Sequence, residues 1–157
     1  MKTAEDILKD KKNQNMVTVR AEATLFEALE LMVAHKIGAM LVREHDDIIG
    51  IWTERDLLRN ILVPGFDPKT ARIGGYMQTH LKSLPHDTPI IQLKEAFLGL
   101  FIRHMLIIKE GKCIGMLSIG DVLRESLLSK DKEIKALNKI ASWEYYENWS
   151  GKPKPAK

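Results

Sequence analysis

The sequence predicts a mixed α/β (α+β) fold in which two βαββα repeats pack about a pseudo-two-fold axis and a C-terminal helical extension follows. Three observations lead there. Gly50 to Asp56 reads Gly-Ile-Trp-Thr-Glu-Arg-Asp, and Gly115 to Asp121 reads Gly-Met-Leu-Ser-Ile-Gly-Asp. Glycine, two apolar residues, a hydroxyl residue and an aspartate three positions later recur in register, each pair 65 positions apart (115 − 50, 118 − 53, 121 − 56). Around each copy, short apolar runs bounded by turn residues alternate with helix-spaced apolar faces. A unit of about 60 residues covers its own apolar surface poorly, so two units sharing a core are expected.

Taken in order, Thr3 to Leu8 reads as a short helical lead-in, followed by a polar connector up to Asn15. Met16 to Val19 is a short strand. Thr24-Leu-Phe-Glu27 is a capping box that starts a helix whose apolar face is Leu25, Ala28, Leu29 and Met32. Ile37 to Val42 is a buried strand, Glu44 to Asp47 a polar hairpin, and Ile48 to Trp52 the returning strand. The next helix begins at Thr53 and stops before Pro64-Gly65. In the second unit Ile73 to Met77 takes the place of the lead-in, and Thr88-Pro89 starts a helix with proline at its first position. Met105 to Ile108, a turn at Glu110-Gly-Lys112, and Cys113 to Leu117 complete the hairpin. The boundaries are residues 1–66 for the first repeat with its lead-in and 67–130 for the second. Residues 131–157 form a helical extension carrying Trp143, Tyr145, Tyr146 and Trp149, with a polar tail.

Composition narrows the function. With 45% hydrophobic and 29% charged residues the chain is globular. A net charge of +3, from mixed basic and acidic residues, gives no broad basic face for nucleic acid. No apolar run reaches the roughly 18 residues that span a bilayer, and no signal core is present at the N-terminus, so no membrane role is expected. The single Cys113 fits a reducing compartment, and a cytoplasmic location is expected.

The repeated motif has its own chemistry. A hydroxyl residue at a helix N-cap stands beside free amide hydrogens and partial positive charge, which suits a phosphate. An aspartate three positions on can accept two hydrogen bonds from the vicinal diol of a ribose. The glycine ahead lets a backbone or base approach closely. Together these describe a nucleotide site, although Ser/Thr-x-x-Asp/Glu is also the ordinary helix-capping pattern.

In these residues the chain resembles a tandem pair of cystathionine-β-synthase (CBS) domains, the Bateman module. The signature is the Gly-apolar-x-Ser/Thr-x-x-Asp segment at Gly50 to Asp56 and Gly115 to Asp121, and Ile102-Arg-His-Met-Leu-Ile107 is similar to the family's strand entry. The resemblance covers residues 1–130 and implies two clefts, each able to bind an adenosine-containing ligand. It implies a first cleft using Thr53 and Asp56 with Ile73, Met77 and His104. The second would use Ser118 and Asp121 with Thr3, Ile7, Gly38, Ala39 and Arg103, the arginine and histidine at the strand entry favouring phosphates there. Trp52 has two readings, stacking on a purine or filling the first cleft. His104 and Arg103 could equally be a satisfied buried histidine and a surface ion-pair partner.

No nucleophile with its base, metal-ligand spacing or phosphate loop is found, so no catalytic residue, no metal and no required cofactor are assigned, and the chain is read as a non-enzyme. The expected function is a stand-alone regulatory module that binds AMP, ADP, ATP or NAD and signals to an effector protein. A homodimer is implied by the resemblance. The alternatives are a ligand-free structural or dimerisation module, or a binder of S-adenosylmethionine or a cyclic dinucleotide.

Overall fold

A computed structural model describes residues 1–11 and 16–130. The expected extension over 131–157, with its tryptophans and tyrosines, lies outside the described residues. The elements are α1 (Ala4–Asp10), β1 (Thr18–Arg20), α2 (Leu25–His35), β2 (Ala39–Glu44), β3 (Asp47–Thr53), α3 (Glu54–Asn60), a 3-10 turn (Ile73–Gly75), β4 (Ser83–Pro85), α4 (Ile90–Leu100), β5 (His104–Lys109), β6 (Lys112–Ser118) and a helix α5 over 119–130. Each repeat is thus strand, helix, strand, strand, helix.

Local chemistry accounts for most boundaries. At α2 the Thr24 hydroxyl accepts from Glu27 N at 3.1 Å while Thr24 N donates to the Glu27 carboxylate at 3.3 Å, the reciprocal capping box. The helix buries Leu25, Ala28 and Met32, spaced three and four apart. Helix α4 starts differently from expectation. Pro89 is the N-cap, with extended backbone, and Thr88 does not cap: its hydroxyl donates to Pro85 O at 2.7 Å. The amide that a cap would serve, Ile90 N, donates instead to Lys2 O at 3.1 Å, so the N-terminal segment of the chain does the work of the missing cap.

Each repeat forms a three-stranded sheet, β1-β2-β3 and β4-β5-β6, with the first pair parallel and the second antiparallel. Alternation along the strands sends Met40, Val42 and Trp52 toward the helices of the first repeat, and Met105, Ile107 and Leu117 toward those of the second. The opposite faces carry Leu41 paired with Ile51 and Leu106 paired with Met116. These residues line the clefts between the repeats.

The two lead-ins are exchanged. Ala4 and Ile7 of α1 belong to the core built from Leu93, Phe97, Met105 and Leu117 of the second repeat. Ile73 belongs to the core of Leu25, Met40 and Trp52 in the first. The hydrogen bonds repeat the pattern: Ala4 N to Thr88 O (2.9 Å) and Glu5 N to His86 O (2.9 Å) on one side, Ile73 N to Ala23 O (2.8 Å) and Gly74 N to Ala21 O (2.9 Å) on the other. The motif glycines are where the exchanged segments cross the sheets. A Cβ at Gly115 would lie 2.8 Å from Leu8 Cδ2, and one at Gly50 would collide with the Met77 side chain. Ion pairs add to the α1 seat. Glu5 lies 2.9 Å from both Lys109 and His86, and these partners draw its carboxyl down to about 2.

Ile7→Ala should therefore cost about 2–5 kcal/mol, the usual range for an emptied aliphatic core site. The loss of hydrogen-exchange protection should fall on β5 and β6, more than 90 residues downstream, leaving β2 and β3 with the higher protection. A loss confined to the first repeat would refute the exchange.

Candidate functional site

Two clefts lie between the repeats. The backbone sets them symmetrically: Glu54 N, opening α3, donates to Gly38 O at 3.0 Å, and Ile119 N, opening α5, donates to Arg103 O at 2.8 Å. Each motif hydroxyl is thereby held at the mouth of a strand-to-helix turn beside the entry strand of its hairpin. The cleft beside Thr53 has a volume of about 380 Å³ and the one beside Ser118 about 1120 Å³. Both are of a size that receives small molecules.

In the smaller cleft the aspartate is already engaged. Asp56 is buried, and its Oδ2 accepts from Thr53 N (2.9 Å) and Thr53 Oγ1 (3.1 Å). Its Oδ1 accepts from Gln78 Nε2 (2.7 Å) and Arg59 Nη1 (3.1 Å). Four donors fill the acceptor sites of a carboxylate, so nothing remains for a diol. Asp56 is also absent from the cleft lining, whereas Thr53 is on it. Trp52 does neither of the things expected of it. Its side chain is wholly buried in the first core and its Nε1 donates to Asn60 Oδ1 at 2.9 Å. Strand parity explains this, since Trp52 shares the face of Gly50 while Ile51 and Thr53 take the cleft side.

The larger cleft is arranged differently. Asp121 Oδ2 accepts from Ser118 N (2.8 Å) and receives the Lys11 ammonium at 2.9 Å, while Ser118 Oγ accepts from Asp121 N (3.1 Å). Oδ1 of Asp121 makes no hydrogen bond among the described residues, and the side chain is partly exposed on the lining. Ile7, Ile37, Leu41 and Ile90 supply apolar wall, and Gly38 and Ala39 leave the entry strand without bulk. Lys36 and Arg124 bring positive charge to the same wall. Lys2 braces the rim through Asp10 and Glu125, each at 2.7 Å, and both raise its ammonium above the ordinary value.

Of the residues expected at the sites, Ser118, Asp121, Ile7, Gly38 and Ala39 line the larger cleft together. Thr53 and His104 line the smaller, and His104 lines the larger as well. Arg103 lies on the smaller cleft and not on the larger, because adjacent side chains at the start of β5 diverge to opposite sides. Thr3 is on neither: its hydroxyl accepts from Asp6 N at 3.4 Å and caps α1. Ile73 is wholly buried, and Met77 packs over Gly50. Sequence reasoning passed over Lys11, Gln78, Lys36 and Arg124. Lys36 is the C-cap of α2 and Arg124 lies within α5, neither of them in a motif, while Lys11 and Gln78 are reached only through the exchanged lead-ins. His104 is held below its ordinary value, chiefly by burial and then by the charge of Lys11, against the pull of Asp121. The imidazole is therefore neutral at neutral pH. Among the described residues no group of three or more His, Cys, Asp or Glu could hold a metal, and no helix is long and apolar enough to cross a membrane.

Comparison with known proteins agrees with this architecture. The family model of the CBS domain matches twice, at residues 4–63 and 73–128. The mitochondrial CBS domain-containing protein CBSX3 of Arabidopsis thaliana is 31% identical over 144 residues, covering 87% of this chain and 70% of that one. Among solved structures, a protein with CBS domains from Burkholderia ambifaria superposes with a TM-score of 0.75 at 29% identity, over 81% of this chain and 95% of that one. A CBS domain protein of Pyrobaculum aerophilum, complexed with AMP, shares the fold at 19% identity, with a TM-score of 0.67 over 79% and 97% of the two chains.

The two aspartates should separate in stability. Asp56→Ala strips the cap and leaves Gln78 and Thr53 donors unpaired, an expected loss of about 2 kcal/mol or more, while Asp121→Ala should lose about 1 kcal/mol. Urea unfolding of the two variants reads this directly, and equal losses would contradict the geometry. For His104 the sign is set by a folded pKa below the unfolded 6.5. Its contribution is fully present above that pH and is lost as pH falls from 6.5 toward the folded value. The thermal midpoint of His104→Asn should accordingly drop less than that of the wild type between neutral and mildly acidic pH.

Proposed function

Because the chain belongs to the CBS-domain family, with two copies in tandem, we propose that it is a regulatory module that holds an adenosine-containing ligand of the AMP, ADP, ATP or NAD class in the cleft at Asp121. The observation that carries this reading is the open Oδ1 of Asp121 on the wall of a cleft of about 1120 Å³. Apolar wall for a base, a carboxylate for a ribose diol, and Lys36 and Arg124 for phosphate stand within one cavity. Gly38 and Ala39 come from the first repeat and Ser118 and Asp121 from the second, so a bound ligand touches both. Its differential affinity for one relative arrangement of the repeats would shift their population, and a partner protein would read the shift. That the AMP complex of the Pyrobaculum aerophilum protein shares the fold is consistent with this choice of ligand.

The partner surface lies on the helices. Val33, Leu58, Leu62, Leu98 and Leu127 are each more than 60% exposed on or beside α2 to α5, more apolar surface than a monomer leaves to water without purpose. A homodimer through this helical layer is part of the proposal. No reaction is assigned to the chain. The lone Cys113 is half-buried, burial pushes its thiol up, and it suits a structural role in a reducing compartment such as the cytoplasm.

A second reading has one observation in its favour. Asp56 is saturated and Lys11 already covers one oxygen of Asp121, as in a module whose motifs only cap helices. Thermal shift separates the two. At a hundredfold excess over its dissociation constant, AMP should add about 2.7 kcal/mol and raise the midpoint by roughly 5–10 °C. The shift should vanish in Asp121→Asn and persist in Asp56→Asn. A protein deaf to AMP, ATP, NAD and S-adenosylmethionine alike would leave the assembly reading in place. Light scattering should give twice the mass of one chain, and Leu62→Glu with Leu127→Glu should halve it.

A further inference from the structure

The lead-in that seats α1 in the second repeat also carries a charge into the larger cleft. Lys11 is the C-cap of α1, its backbone N donating to Leu8 O at 3.2 Å. Its ammonium donates to Met116 O at 3.0 Å and meets Asp121 Oδ2 at 2.9 Å. Oδ2 also accepts from Ser118 N at 2.8 Å, so both of its acceptor sites are taken. The two side chains are mostly buried, at 28% and 23% exposure, and both stand on the cleft wall. In the first repeat the residue that follows the lead-in plays the same part without release. Gln78 Nε2 donates to Asp56 Oδ1 at 2.7 Å, and with Arg59 and Thr53 it saturates a carboxylate that is 5% exposed. At Asp121 the cover is one ammonium on one oxygen, facing an open cavity.

We propose that Lys11 is a tethered competitor for the ribose, an autoinhibitory contact that a ligand of the larger cleft must unfasten before it is fully held. This rests on the adenosine reading of that cleft. A vicinal diol offers two hydroxyl donors side by side, and a carboxylate takes them in parallel only with an open site on each oxygen. With Lys11 seated, Oδ1 can take one hydroxyl, while the second meets the ammonium, a donor facing a donor. Exchanging Lys11 for the diol keeps Asp121 satisfied and lets the partly exposed ammonium turn to water. What is given up is a charge-assisted bond between the lead-in and α5, where Lys2 to Glu125 at 2.7 Å remains as a second tie. Two hydroxyls are needed to displace one ammonium, so the contact also selects for an intact diol.

The probe is adenosine, which is uncharged, so that removing the charge of Lys11 neither attracts nor repels it. Titrated calorimetrically into the whole protein, it should bind Lys11→Met about fivefold or more tightly than wild type. The gain should be absent for 2′-deoxyadenosine, which has one hydroxyl to place and can use Oδ1 with Lys11 seated. Lys109→Met loosens the same lead-in at Glu5, away from the cleft, and should leave adenosine affinity at the wild-type value. A second readout uses the unaltered protein. Acetylation of Lys11 by an amine-reactive reagent, followed by peptide mass spectrometry, should speed up when adenosine saturates the cleft. Slower acetylation, as for a lysine buried against the ligand, overturns the proposal, and so does an equal gain in Lys109→Met. Adenosine that binds wild type, is lost in Asp121→Asn and is no tighter in Lys11→Met overturns the competitor alone. Adenosine bound by neither wild type nor Lys11→Met overturns the adenosine reading of the cleft together with it.

Discussion

Ile7 among Leu93, Phe97 and Met105, and Ile73 among Leu25, Met40 and Trp52, are the contacts on which the rest of the structure depends. Each three-stranded sheet with two helices has a gap at one end of its core, and in both cases the plug is a lead-in that precedes the other repeat. The energetics are those of ordinary apolar burial. Their placement makes the two halves mutually dependent, because removing either lead-in opens the core of the distant repeat. It also explains the motif glycines better than ligand approach does. Gly115 and Gly50 are the positions where Leu8 and Met77 cross the sheet, and a side chain there would hold the plug out.

Once the lead-ins are seated, the same seven-residue motif finds itself in two different surroundings. Gln78, which follows one lead-in, reaches Asp56 and together with Arg59 completes its hydrogen bonding. Lys11, which follows the other, meets Asp121 but leaves one of its oxygens unbonded among the described residues. The caps are chemically alike: in both, the hydroxyl oxygen accepts from the amide of the aspartate. The difference in what remains for a ligand arises from residues outside the motif. Sequence symmetry thus carries over to the backbone and is broken at the aspartates, one with an oxygen unbonded among the described residues and the other saturated.

How much of this was legible in the chain follows from how local each determinant is. The capping boxes at Thr24 and Thr53, the hairpin turns and the repeat itself depend on residues within a few positions of one another, and the structure has them where the spacing placed them. Thr88 failed as a cap because the amide ahead of α4 is served by Lys2 O, more than 80 residues earlier. Trp52 could have been placed by strand parity, since it shares its face with Gly50 and Met40 pairs beside it. The clefts were harder. Ser118, Asp121, Gly38 and Ala39 line one cleft, while Arg103 turns to the other side and Thr3, Ile73 and Met77 serve the packing of lead-ins. Lys11 and Gln78 carry no local signal at all, and only the exchange brings them to the aspartates.

The exchange also imposes an order in time. Helix α1 is made ahead of both repeats, and its seat is completed only in the second: Lys109, which holds Glu5, lies 104 positions later. At about 5–20 residues per second, that is roughly 5–20 s during which Ala4 and Ile7 have no core to enter. The first repeat must wait in turn for Ile73. The first repeat can close once Ile73 and Met77 have been made, whereas the second needs a helix made before either repeat. The Ala4 and Ile7 face of α1 stays without its core until β5 and β6 of the second repeat have been made.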